Sequence, residues 1–367
     1  MAITELSAGL EELVARRAIT EAITTLQRGI DRGDLALLKS AWHDDADVSY
    51  GFFDGPAAEM CEILAGAPDP TNITMHRPSN VWIKVDGERA ISESYVFVYS
   101  PGEDVQSLIG GRYLDRHERR DGVWRLSHRT YVMDWNINQP ATGSGLPGFT
   151  APYPMGVKSA DDPGVGLLQQ WSIHDNLPQT NKQQTGGSVE ISAELAAQAE
   201  VALAKAEIHD LICAQARGVD RGDTELLRSV WAPGATVDVG DFFTGGADAF
   251  CDLMLETAQS MRRMAHTVNN EWIQVDGDSA VAESYVIAVA TAPADDGDQD
   301  TISGGRYVDR YQKLDGLWKC SHRTFVADWV IEQPCTDQRD EPGGMYESLT
   351  TRGGLYPNDP LYAFWKA

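Results

Sequence analysis

Residues 110–135 read GGRYLDRHERRDGVWRLSHRTYVMDW and residues 304–329 read GGRYVDRYQKLDGLWKCSHRTFVADW, with 16 of 26 positions identical. In each copy two alternating apolar-polar runs are joined by Asp-Gly, at Asp121-Gly122 and Asp315-Gly316. That dipeptide supplies the positive φ angles a tight β-hairpin needs. The repetition continues upstream. Arg28-Gly29-Ile30-Asp31-Arg32-Gly33-Asp34 returns as Arg217-Gly218-Val219-Asp220-Arg221-Gly222-Asp223, and Asn80 to Gly87 returns as Asn270 to Gly277. The offset drifts only from 189 residues at Asp31/Asp220 to 194 at His128/His322, so the chain is a tandem domain duplication and not a solenoid.

Each copy begins with helical spacing and then turns to strands. Apolar residues recur every three or four positions over 11–30 and 200–219. A second short helix is expected over Leu35–Trp42 and Thr224–Trp231, and a third near 56–65 and 246–258. Alternating runs follow at 73–85, 89–99, 106–118 and 122–135. Helices first and then a curled antiparallel meander give an α+β domain. The expected layout is a first domain over 1–140, a linker and arm over 141–199, a second domain over 200–335 and a C-terminal arm over 336–367. Asp162-Pro163 before Trp171 echoes Asp359-Pro360 before Trp365, as Tyr153-Pro154 echoes Tyr356-Pro357, which suggests that each domain ends in an aromatic arm packed over a neighbour.

Composition narrows the partners. The 367 residues carry 55 Asp and Glu against 30 Lys and Arg, a formal charge of −25 that repels nucleic acid and anionic membrane surfaces. No apolar run approaches the roughly 20 residues of a membrane span. MAITELSAGLEELVARR lacks the basic-then-apolar layout of a signal peptide, and five cysteines without CxxC spacing suit a reducing cytoplasm. With neither a P-loop nor GxGxxG after a strand, no cofactor is expected. The remaining partner is a small hydrophobic organic substrate.

Three kinds of residue can carry chemistry. Asp31 and Asp220 each end a helix column that is mostly apolar, so they point inward, where a carboxylate must be paired or hydrogen-bonded; a turn-capping role is the alternative. Strand alternation puts His76, Asn80 and Trp82 on one face, and likewise His266, Asn270 and Trp272, as a polar-aromatic pocket would require. A histidine simply bonded to a carbonyl is the plainer reading. Asp with His makes a general-base dyad, the carboxylate fixing the imidazole tautomer. In the Ser-His-Arg-Thr run, Arg129 and Arg323 fall on the opposite face from His128 and His322. Strict alternation sends Arg129 outward with Arg125, whereas a curved sheet can make that face cavity-lining at one end, where Arg129 keeps company with Tyr131, Met133 and Trp135; an ion pair of Arg129 or Arg323 with Asp134 or Asp328 is the structural alternative. A metal at His76, His128 and Asp31 has no HxH or HExxH spacing behind it, and none is expected.

These residues together resemble the SnoaL-like branch of the nuclear transport factor 2-like superfamily, over about 15–140 and 204–335. The similarity is most specific toward cofactor-independent lyases: hexachlorocyclohexane dehydrochlorinase, scytalone dehydratase and bile-acid dehydratase. It implies two cone-shaped α+β barrels, each a curved sheet wrapped on its helices around an apolar cavity. It also implies an Asp–His base and an arginine that helps a departing anion: Asp31, His76 and Arg129, then Asp220, His266 and Arg323. Members normally self-associate, so the halves are expected to form an internal pseudo-dimer, with further homo-oligomers left open. Lyases that release formaldehyde from lignin-derived diarylpropanes share the superfamily, and the same dyad would serve that retro-aldol chemistry. An isomerase and a non-catalytic binding or scaffold protein are the competing classes. Tyr50, Tyr99 and Tyr131 stand where the second half has smaller or less polar residues, which favours the first half as the working cavity.

Overall fold

The computed structural model describes residues 3–66, 74–141, 157–159, 161–162, 193–344 and 346–366. The first half runs α1 (Ile3–Arg32), α2 (Leu35–Ser40), β1 (Trp42–Ser49), β2 (Asp54–Pro56), α3 (Ala57–Ala65), β3 (Met75–Asp86), β4 (Arg89–Ser100), β5 (Val105–Arg120) and β6 (Val123–Pro140). The second repeats it as α4 (Ala193–Arg221), α5 (Thr224–Ser229), β7 (Trp231–Asp238), β8 (Thr244–Gly246), α6 (Ala247–Ser260), β9 (Arg263–Asp276), β10 (Ser279–Ala292), β11 (Gln299–Leu314) and β12 (Leu317–Pro334). A short α7 (Pro360–Phe364) follows. Tyr153-Pro154 and Trp171 lie outside the described residues.

Each half has a six-stranded sheet, ordered β2-β1-β6-β5-β4-β3 and β8-β7-β12-β11-β10-β9. Two expectations need correction. Trp42 and Trp231 open strands and do not end helices, and those strands pair parallel to β6 and β12, so the sheets are mixed. Trp42 and Trp231 each stand two residues beyond the short helix, and periodicity does not locate a helix end that closely.

The repeated Arg-Gly-x-Asp-Arg-Gly-Asp motif is a helix corner. A Cβ on Gly29 would sit 2.7 Å from Leu38, and one on Gly218 2.9 Å from Leu227, so these glycines let the second helix lie against the first. Gly33 (φ 64°) and Gly222 (φ 62°) then take the left-handed turn that ends the long helix. Asp34 and Asp223 accept from the backbone N–H of Leu37 and Leu226, capping the next helix.

The halves are joined through polar contacts as well as apolar ones. Arg16 pairs with Asp210 across α1 and α4 at 2.8 Å. Asn80 Nδ2 donates to the His266 carbonyl (2.8 Å) and its Oδ1 accepts from Val268 N–H (2.6 Å). Trp135 and Ile137 pack against Ala265 and Val289. Beyond β12 the chain crosses to the first half: Thr351 and Gly353 bond the Met133 backbone, and Leu361 packs on Leu114 and Val132. The arm ends with Asp359 gripping Arg112 through both carboxylate oxygens (2.9 and 2.7 Å). Arg112 also binds Asp134 (2.9 and 3.0 Å) and Glu93 (3.2 Å), and Glu93 accepts from Arg217 (2.7 Å). The linker repeats the motif on its own domain. Asp162 accepts from Val157 N–H and pairs with Arg32, as Asp359 accepts from Gly354 N–H and faces Arg221. Among the described residues no helix is long and apolar enough to cross a membrane.

Replacing Arg112 with Leu removes the shared partner of three buried carboxylates, leaving them only Arg217 and Arg221, and is expected to cost about 3–5 kcal/mol, read from urea unfolding. Burial alone would raise the Asp359 pKa, but Arg112, Arg221 and the Gly354 N–H hold it down at about 2. Its stabilisation is therefore present above the unfolded carboxylate pKa near 4 and is lost as pH falls toward 2. Asp359→Asn is expected to lack this acid-sensitive component, roughly 2 kcal/mol in unfolding measured between pH 5 and 2.

Candidate functional site

The corner at the end of each long helix turns its aspartate toward the first long strand. In the second half Asp220 Oδ1 meets His266 Nδ1 at 2.6 Å while Oδ2 accepts the His266 backbone N–H at 2.9 Å. The first half repeats this with Asp31 and His76 at 2.7 and 2.9 Å, and the Thr74 hydroxyl donates to Asp31 at 3.1 Å. One carboxylate thus fixes both the ring and the strand carrying it. Asp31 and Asp220 are both buried. With Nδ1 donating to the carboxylate, Nε2 is left as the ring's basic nitrogen.

The arginines are turned inward by a bulge. Leu126 pairs with His117 and His128 with Arg116, so Ser127 has no partner of its own and the alternation of β6 shifts by one. His128 consequently faces outward, bonded to Asp47 and Thr130. Arg129 faces inward and is fully buried. Its partner is Asp115, in a two-pronged pair at 2.7 Å, and not Asp134, which belongs to Arg112. Arg323 pairs the same way with Asp309 (2.8 and 2.6 Å), while Asp328 goes to Arg306. Burial works against the Arg323 charge, yet Asp309 outweighs it and holds the pKa above the ordinary arginine value. The Arg323 guanidinium lies 3.8 Å over the Tyr307 ring, and Nη1 takes no part in the Asp309 pair.

A second bulge overturns part of the predicted pocket. Ser79 pairs with Tyr95 and Trp82 with Glu93, leaving one extra residue around Asn80, which adopts φ 47°; Asn270 does the same at φ 49°. Beyond the bulge the faces exchange, so Asn80 and Trp82 do not share the His76 face. Asn80 clips the two halves together, and Trp82 packs on Arg217 (3.9 Å) and Trp365 (5.5 Å). Asn270 is exposed, and Trp272 is 62% exposed. Tyr99 is a further correction: Val96 and Val98 face the core, so alternation sends Tyr99 to the other side, its hydroxyl toward Gln106.

The second half encloses a cavity of about 160 Å³ that His266 and Arg323 both line. Its walls are apolar and aromatic, including Trp231, Phe250, Met254, Tyr307 and Phe325, with Gln215 and Ser303 the other polar groups. Register explains why the first half differs. Val98 stands at the place of Ala288, Ile109 at Ser303, Tyr50 at Val239, Tyr131 at Phe325 and Leu26 at Gln215. Each replacement is larger or less polar. Tyr50 stacks on Tyr131 at 5.8 Å, Tyr113 packs on both, and Tyr346 of the C-terminal arm joins the same cluster. Burial raises the pKa of Tyr50, Tyr113 and Tyr131, keeping these hydroxyls neutral. Tyr50 and Tyr131, which favoured the first half, are core filling. Gln215, Ser303, Tyr307 and Asp309 escaped notice in the sequence. Tyr307 and Asp309 were visible inside the repeat, but Gln215 has no counterpart to flag it.

The cavity is expected to bind one small aromatic probe such as toluene per chain. Ala288→Phe should weaken that binding at least tenfold in calorimetric titration, and Tyr131→Phe should leave it unchanged.

The sequence pattern of the SnoaL-like domain matches residues 11–130 and again residues 200–324. Hexachlorocyclohexane dehydrochlorinase 1 of Sphingobium indicum is 26% identical over 133 residues, which make up 34% of this chain and 86% of that protein. Two solved structures are similar in fold. The Kfla4162 protein of Kribbella flavida is 20% identical, covering 35% of this chain and 92% of its own, with a TM-score of 0.33. The LinA-type3 hexachlorocyclohexane dehydrochlorinase of Novosphingobium barchaimii is 23% identical, covering 35% and 90%, with a TM-score of 0.33.

Proposed function

The chain belongs to the SnoaL-like domain family, which it matches twice, and on that premise we propose that it is a cofactor-independent lyase working in the cavity of its second half. The observation that carries this reading is the conjunction, in one apolar cavity, of a carboxylate-held histidine and a buried arginine. A binding module has little use for a buried Asp aimed at a histidine. A lyase needs that base and a group to meet negative charge.

In this mechanism His266 Nε2 takes a proton from a substrate carbon, and the C–H electron pair becomes the new π bond as the leaving group departs from the neighbouring carbon with its own pair. Asp220 stabilises the imidazolium that forms. Arg323, fixed by Asp309, directs Nη1 at the charge developing on the leaving group, where a preorganised donor in a water-poor site is most effective. The likeness to a dehydrochlorinase favours elimination over the other chemistry open to this dyad, which is O–H deprotonation with retro-aldol loss of formaldehyde. The apolar and aromatic lining supports a hydrophobic cyclic or aromatic substrate in this reading.

The first half keeps Asp31, His76 and Arg129, but its large side chains make it a folding partner for the second in this reading. Asp220→Asn and His266→Ala are expected to lower turnover at least a thousandfold, while Asp31→Asn with His76→Ala leaves most of it. Product analysis with chlorinated cyclohexanes, hydroxylated ring compounds and lignin-type dimers reads the outcome. Full activity after both pairs of changes would refute the dyad.

A further inference from the structure

The second cavity holds a polar side chain that the dyad chemistry does not employ. Gln215, on α4 five residues before Asp220, is 2% exposed and lines the cavity. Apart from the Cys320 thiol beside it, neither its amide nitrogen nor its amide oxygen has a hydrogen-bond partner among the described residues. Burying an amide without partners is unfavourable, and a ligand that pairs with it relieves that cost. Trp231, His266, Ser303, Tyr307 and Arg323 also bring polar groups to the lining, but none of them bonds this amide. At the equivalent position of the first half stands Leu26, fully buried in the tyrosine-filled core. The first half has a buried, unpartnered amide of its own one position on, at Gln27, so what sets Gln215 apart is that it lines the cavity shared by His266 and Arg323.

The geometry points to Gln215 as the specificity-determining residue of the cavity: it receives a hydroxyl substituent on a compact ring and so sets how the substrate lies against His266. We infer this substrate class from three observations. A carboxamide offers one donor and one acceptor group, the complement of a hydroxyl, which also donates and accepts. A cavity near 160 Å³ with apolar walls accommodates a single ring, since one of about 150 Å³ takes benzene. Gln215 also sits five residues, more than one helical turn, from Asp220 on the same helix, and lines the same cavity as His266, so a ring anchored there extends toward the dyad. Recognition of this kind discriminates strongly, because an analogue without the hydroxyl leaves the buried amide unpaired.

This inference rests on the second cavity being the working site, and binding of unreactive probes separates it from the lyase reading. Calorimetric titration of the full chain would compare 4-methylphenol with toluene, in the native protein and in Gln215→Leu, which installs the residue of the first half. The native protein is expected to prefer 4-methylphenol at least tenfold, and Gln215→Leu to abolish that preference by weakening 4-methylphenol and strengthening toluene. Ser303→Ala, which removes the cavity's hydroxyl on β11, should leave the preference intact and serves as the folded control. Equal binding of the two probes by the native protein overturns the assignment. So does a preference that survives Gln215→Leu, or one that Ser303→Ala removes instead. None of these results bears on turnover, and loss of turnover in Asp220→Asn with the preference intact leaves the assignment standing.

Discussion

Arg112 is the residue on which the arrangement of this molecule depends. It is wholly buried, and three carboxylates from three directions converge on it: Glu93 and Asp134 from the neighbouring strands, and Asp359 from the end of the chain. Glu93 in turn binds Arg217 and Asp134 binds Arg221, both on the long helix of the second half. A charge so deeply buried is tolerable only when every partner is present. The node therefore requires both halves and the C-terminal arm to be in place together. Its counterpart in the second half, Arg306 with Asp328, is an exposed pair, and the strand end beside it leaves Trp329 and Ile331 exposed where Trp135 and Ile137 are buried.

That asymmetry extends to the cavities. The halves share the helix corner, the carboxylate-held histidine and the buried arginine, because those parts are also the frame of the fold. They differ in a handful of lining positions. Val98, Ile109, Tyr50, Tyr131 and Leu26 close one interior; Ala288, Ser303, Val239, Phe325 and Gln215 open the other. Close packing makes such exchanges decisive, since a few methylene-sized differences separate a filled core from a void of ligand size. The C-terminal arm adds Tyr346 to the filled side. A duplicated chain can thus keep one copy as scaffold without discarding its polar frame.

The order of elements was legible because long amphipathic helices and alternating strands announce themselves by period. The Asp–His contact was legible too: an Asp at the end of an apolar column and a His on the next long strand, twice over, point to one place. The pocket walls were not. Trp82, Trp272, Asn80 and Asn270 were assigned by counting alternate residues through positions where a left-handed asparagine inserts an extra one, and each count past the bulge names the wrong face. The same physics acted in the other direction at Ser127, turning inward the Arg129 that alternation alone sent outward.

Read alone, the sequence establishes the duplication and the α+β class of each copy, and it points to the Asp–His pairing. All of these depend on local period or on short spacings that each copy repeats. Tertiary structure decides which interior is open, which acid partners each arginine, and what the arm covers. Those outcomes turn on bulges that re-aim side chains, on the summed volumes of residues far apart in the chain, and on ion pairs such as Arg112 with Asp359, separated by 247 positions. No periodicity records such meetings, because they exist only once the sheets have curled and the two halves have closed on each other.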